Sequence, residues 1–161
     1  MSLFVDLHKH RPRLGDGDKR NRDRLEDWLT ECFAAALRAL SAADRAKTQQ
    51  VLAQLTGASE VDIADALKHH DVRIETQISN GADGRPDMAF WLDDWPWAVV
   101  ENKVGHAATG EQLSGYRSWQ ASGEPNKPAT LPRQLMPAML FISHYTKPPE
   151  DFVKSPRTAC A

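Results

Sequence analysis

The sequence predicts an α/β fold built on a small mixed sheet. Helical periodicity runs from Arg22 to about Leu67, and strand periodicity replaces it at Asp71. A helical segment then separates the third strand from a last apolar run, which lets those two strands lie parallel as neighbours. Short links among the first three strands make them an antiparallel meander.

Residues 1–21 are polar and interrupted by Gly and Pro, and they read as an arm. Between Asp6 and Arg24 seven Lys and Arg side chains stand against four Asp, a local excess of three positive charges in a chain whose formal charge is −2. Asn21 or Asp23 is expected to cap the next helix, Arg22 to Leu40. Its apolar stripe is Leu25, Trp28, Leu29, Cys32, Phe33, Ala36, Leu37 and Leu40. Glu26 lies at the edge of that stripe, in line with Phe33 and Leu37, while Asp27 and Glu31 are expected to face water. A second helix is predicted from Ala42 to Leu55, ended by Thr56 and Gly57. Ser59 and Asp62 open a third in the manner of a capping box, with Ile63, Ala64 and Leu67 inside.

The first strand is predicted over Asp71–Ser79, where Val72, Ile74, Thr76 and Ile78 alternate with polar residues. Asn80-Gly81 and Asp83-Gly84 mark a turn. Arg85–Leu92 follows, then Asp93-Asp94 as a turn, then Trp97–Val104. Thr109 and Gln112 are spaced as a capping box for a helix over Thr109–Gln120. Leu135–Ser143 is a last strand, with Pro137 at its start or on an edge. The tail after Tyr145 shows no periodicity. The expected organisation is an arm (1–21), one domain (22–146) and an irregular tail (147–161).

Composition narrows the function classes. With 161 residues, 41% hydrophobic and 26% charged, the chain is an ordinary globular domain, not a disordered or collagen-like one. Cys32 and Cys160 form no Cys-x-x-Cys pair, which argues against a cysteine zinc site. No apolar run approaches the ~20 residues that cross a bilayer. Leu3, Phe4 and Val5 are too short a run for a signal peptide. A cytoplasmic protein with no membrane partner is the expectation. The five tryptophans read as packing residues, and His69-His70 at a helix end carry no assigned chemistry.

The chemistry concentrates in RPDMAFWLDDWPWAVVENKVG. A spacing of two places Glu101 and Lys103 on one strand face, and hairpin pairing about Asp93-Asp94 brings Asp87 level with Glu101. Two carboxylates and an ammonium on one sheet face are costly to bury. A divalent cation between the carboxylates, with the lysine facing a negative substrate, would resolve that cost, and magnesium and manganese prefer such oxygen ligands.

Pro86-Asp87, thirteen residues, then Glu101-Asn102-Lys103 resembles the signature of the PD-(D/E)XK nuclease superfamily. Gln112 to Tyr116 resembles the Q-x-x-x-Y motif of its RecB-like branch, and Gly110-Glu111-Gln112-Leu113 a GxQL-like motif of bacterial and phage-related members. The resemblance covers roughly residues 22 to 145 and implies a restriction-endonuclease-like mixed sheet flanked by helices. It implies a magnesium-dependent nuclease, manganese substituting, acting on nucleic acid and more on DNA than RNA, with a homodimer left open. Asp87, Glu101 and the main-chain carbonyl of Asn102 would hold the metal, and Glu26 would reach it through water or serve a second metal. Lys103 would orient or deprotonate the attacking water and stabilise charge growing on the phosphate oxygens, Gln112 would position Lys103, water or phosphate, and Tyr116, Arg20 and Arg22 would touch substrate. Members usually continue past the last strand with a further helix, and the tail KPPEDFVKSPRTACA shows no helical pattern.

Each residue also has a plainer reading. Asp87 could cap a turn beside Arg85, Glu101 and Lys103 could pair on a solvated strand face, and Gln112 could simply close the capping box. Tyr116 could be core, and Glu26 an exposed acid favoured by the helix dipole. A catalytically inactive module that binds nucleic acid or a protein is the alternative function. The apolar run Trp97–Val100 ahead of Glu101 favours a central strand covered on both faces, and so a buried site.

Overall fold

The computed structural model describes residues 19–79, 86–104, 109–144 and 158–160. The arm over residues 1–18, the Asn80–Gly84 turn and most of the tail lie outside the described residues.

Helix α1 spans Lys19–Ala43. It begins before Arg22, so Asn21 and Asp23 lie inside the helix and not at its cap. Its buried line is Glu26, Thr30, Ala34 and Leu37. Leu25, Trp28, Leu29 and Cys32 of the expected stripe are half-buried, and Ala36 is exposed. The inward face is therefore turned from the apolar stripe toward the line through Glu26. Asp27 does not face water, as expected from the stripe; it is half-buried and accepts a hydrogen bond from Gln77 Nε2 at 3.0 Å. Glu31 is half-buried beside Arg38.

Asp44 breaks the chain between α1 and α2 (Arg45–Thr56), and α2 starts three residues later than expected, because the Asp44 carboxylate accepts the Lys47 N–H at 3.0 Å. Gly57, at φ 68°, closes α2 by donating its N–H to the Ala53 carbonyl. Helix α3 (Glu60–His69) opens on Ser59, whose Oγ accepts the Asp62 N–H. Ile63, Ala66 and Leu67 form its buried face; Ala64, expected inside, is half-buried.

Strands β1 (Val72–Thr76), β2 (Met88–Leu92) and β3 (Trp95–Val104) form the antiparallel meander. β1 is shorter than its alternation suggested, and Gln77, at φ 54°, ends it. Helix α4 (Gly110–Ser122) starts on Thr109, and a 3-10 turn (Glu124–Asn126) follows. Strand β4 (Ala138–His144) runs parallel to β3. It begins after Pro137, which lacks the N–H that a ladder needs. The sheet order is β1-β2-β3-β4, extended beside β4 by β5 (Thr158–Cys160), also parallel. So three residues of the tail, read from sequence as irregular, pair with the sheet.

The sheet separates two apolar layers. On one face α1, α2 and α3 pack through Ala34, Leu37, Leu52, Ile63 and Leu67 on Phe90, Trp95, Val100 and Leu140. On the other α4 covers Val99, Met139 and Phe141 with Leu113 and Tyr116. β3 is buried between them, as its apolar run predicts. His70, just past α3, ties three segments: Nδ1 lies 2.6 Å from Asp93 Oδ2 and Nε2 lies 2.8 Å from Thr130 Oγ1. A carboxylate only accepts, so Nδ1 carries a proton. Among the described residues no helix is long and apolar enough to cross a membrane.

Candidate functional site

The site begins with the β2–β3 hairpin. Leu92 faces Trp95 across the Asp93-Asp94 turn, where Asp93 adopts φ 53°. The register shifts once, between Phe90 and Trp91, and then places Met88 opposite Val100. One residue further, Asp87 reaches the level of Glu101. Its Oδ2 accepts the Asn102 N–H at 2.7 Å, and its main-chain carbonyl accepts the Gln77 N–H at 2.9 Å. Among the described residues Asp87 Oδ1 accepts no hydrogen bond.

Glu101 is almost fully buried and saturated with donors. Its Oε1 lies 2.7 Å from Lys103 Nζ and accepts from Gln112 Nε2 at 2.7 Å. Its Oε2 accepts from the Tyr116 hydroxyl at 2.9 Å, and Gln112 Nε2 also donates to that hydroxyl at 2.7 Å. Gln112 and Tyr116 lie one turn apart on α4, so both side chains descend on the same carboxylate. The main chain of Gln112 serves the helix cap, donating to Thr109 Oγ1 at 3.2 Å, while its carboxamide serves Glu101. Tyr116, expected against substrate, is fully buried with its hydroxyl on Glu101.

The electrostatics follow from burial. Asp87 is pushed up to about 7, first by burial and then by the charge of Glu101, against the Asn102 N–H and Lys103. Burial also raises Glu101, opposed by Lys103, Tyr116 and Gln112. Burial works against the Lys103 ammonium, yet the charge and hydrogen bond of Glu101, then Asp87 and Glu26, hold it above the ordinary lysine value. Lys103 Nζ also lies 3.7 Å from Glu26 Oε2. Glu26 thus stands beside the lysine, reached from α1 on the buried line described above.

Asp87, Glu101, Lys103, Gln112, Tyr116 and Glu26 are therefore gathered at one place. The side chains of Arg20 and Arg22 lie outside the described residues. Asp93 and Asp94 sit at the hairpin turn, away from the site. Two side chains were missed at the sequence level, that of Asn102, named there only for its main-chain carbonyl, and that of Thr30. The Asn102 carboxamide donates to the main-chain oxygen of Glu26 and to Thr30 Oγ1, both at 3.3 Å. A polar residue between Glu101 and Lys103, on the face turned toward α1, was the available signal for Asn102. For Thr30 it was the one-turn spacing from Glu26.

Among the described residues no group of three or more His, Cys, Asp and Glu side chains is placed to hold a metal ion. What the site does offer is a pair of hard carboxylate donors, whose mutual repulsion and burial a cation would relieve. Carboxylate oxygens are the hard donors that magnesium prefers. No known protein family, curated protein or solved structure matches the chain.

Proposed function

We propose that the protein is a magnesium-dependent nuclease of the PD-(D/E)XK type with a restriction-endonuclease-like core, acting on DNA. The observation that carries this reading is half-buried Asp87, just ahead of β2, holding the Asn102 N–H beside buried Glu101 of β3, with the Lys103 ammonium 2.7 Å from Glu101. The order helix, three-strand meander, crossover helix, parallel strand supports it.

Asp87, Glu101 and the Asn102 carbonyl would hold the cation. In a strand the N–H and C=O of one residue point the same way, so that carbonyl shares the Asp87 side of β3. Bound there, magnesium would neutralise the carboxylate pair and polarise a phosphodiester. Gln112 and Tyr116 fix the Glu101 carboxylate in one orientation. Lys103, kept protonated by its acidic neighbours, donates to the phosphate and stabilises charge as water oxygen bonds to phosphorus, the P–O bond to the leaving oxygen breaks and the water proton passes to solvent. That assigns it charge stabilisation in preference to proton abstraction.

A binding module without cleavage is the second reading. It is favoured by the three donors on Glu101, which already satisfy that carboxylate. Incubation with plasmid and single-stranded DNA separates the two. Cleavage with magnesium or manganese that EDTA abolishes is expected. DNA retained intact under every metal condition sinks the nuclease.

A further inference from the structure

We propose that the side chain of Asn102 is a positioning group that locks α1 to β3 and makes Glu26 the second anchor of the Lys103 ammonium. The inference deepens the nuclease reading, on which its kinetic consequence rests.

Asn102 alternates with Glu101 and Lys103, so its carboxamide leaves the opposite sheet face, where α1 lies. Its nitrogen has two hydrogens and two acceptors: the Glu26 main-chain oxygen and Thr30 Oγ1, each at 3.3 Å. Both acceptors are on the buried line of α1, one turn apart. The residue that receives the tether is the one whose carboxylate faces Lys103. Asn102 grips the main chain of Glu26, and Lys103, the next residue, lies 3.7 Å from its Oε2. The closed link runs through two adjacent residues of β3 and one of α1, so the helix cannot rotate without carrying the Glu26 carboxylate away. Without that anchor the lysine, with four rotatable bonds, keeps its 2.7 Å contact with Glu101 but loses the second point that fixes its direction. A carboxylate in place of the amide would set a charge against the Glu26 oxygen, and an aliphatic side chain would remove both donated hydrogen bonds from a buried site.

The test reads the lysine directly, in the metal-free full chain. The ζ-ammonium resonance of Lys103 is identified by its loss in Lys103→Gln, and its hydrogen exchange is measured. Asn102→Ala should speed that exchange and lower kcat by on the order of 10-fold or more with KM little changed, as a misplaced charge does. Thr30→Val, which removes one acceptor at constant shape, should move both readouts the same way, and Thr30→Ser should restore them. If Asn102→Ala fails to fold, the Thr30 pair carries the test. An unchanged Lys103 ammonium in a folded Asn102→Ala or Thr30→Val protein overturns the tether. If the ammonium responds while the wild type cleaves no DNA, the tether stands and the nuclease reading falls.

Discussion

Lys103 and Asp87 are pulled by the same neighbourhood in ways that separate their roles. Lys103 stays charged because Glu101, Asp87 and Glu26 outweigh its burial, so removing it takes away a positive charge and leaves the carboxylate pair. Lys103→Ala should therefore lose on the order of 10²-fold or more in single-turnover cleavage while magnesium affinity holds or rises, whereas Glu101→Gln should lose both. Calorimetry and cleavage on the same preparations check this, and wild-type cleavage by Lys103→Ala would refute the role. Asp87 has an ordinary value of 3.8 and a folded value of about 7. The folded state binds that proton more tightly than the unfolded chain, so metal-free stability falls as pH rises between those values. Raised Glu101 acts in the same sense. Thermal unfolding of the metal-free protein should show this decline, and Asp87→Asn should flatten it; parallel curves would contradict the assignment. The proposed function requires magnesium to bind the ionised pair, and on that reading it should raise Tm more at pH 8 than at pH 5.

At the scale of elements, the sequence was informative where one force acted alone. Alternation and the Asp93-Asp94 turn gave the hairpin and the level of Asp87 opposite Glu101. Thr109 and Ser59 gave true helix starts. α1 was legible as a helix but not in its facing. Its apolar stripe competes with a polar tie, in which Asn102 draws in Glu26 and Thr30, and the small Ala34 lets the helix approach closely. A hydrophobic pattern cannot report hydrogen bonds made 72 residues away. Two neighbouring alanines test this facing. Ala34, fully buried, should cost about 1–3 kcal/mol as Ala34→Leu through overpacking, while exposed Ala36 should accept leucine almost without effect. Denaturant unfolding measures both, and the reverse order would restore the predicted stripe.

For the whole molecule, the order of elements and the parallel β3–β4 pairing were readable because a helix must fill a parallel crossover. β5 was not, since three residues carry no periodicity and owe their strand to the edge of β4. Coverage on both faces makes β3 the most protected element. Its Val99 and Val100 amides should exchange only through global unfolding, and those of the edge strand β1 earlier, as native-state hydrogen exchange would show.

The hairpin register has a consequence for how the protein is made. Asp87 and Glu101 meet through a two-residue turn, so their contact closes a short loop and is available once the ribosome has released β3. α1 has emerged by then, but Gln112 and Tyr116 have not. The two acids therefore come from one local hairpin, while the groups that clamp Glu101 come from α4, later in the chain, so the acidic half of the site and its brace are separate units of sequence.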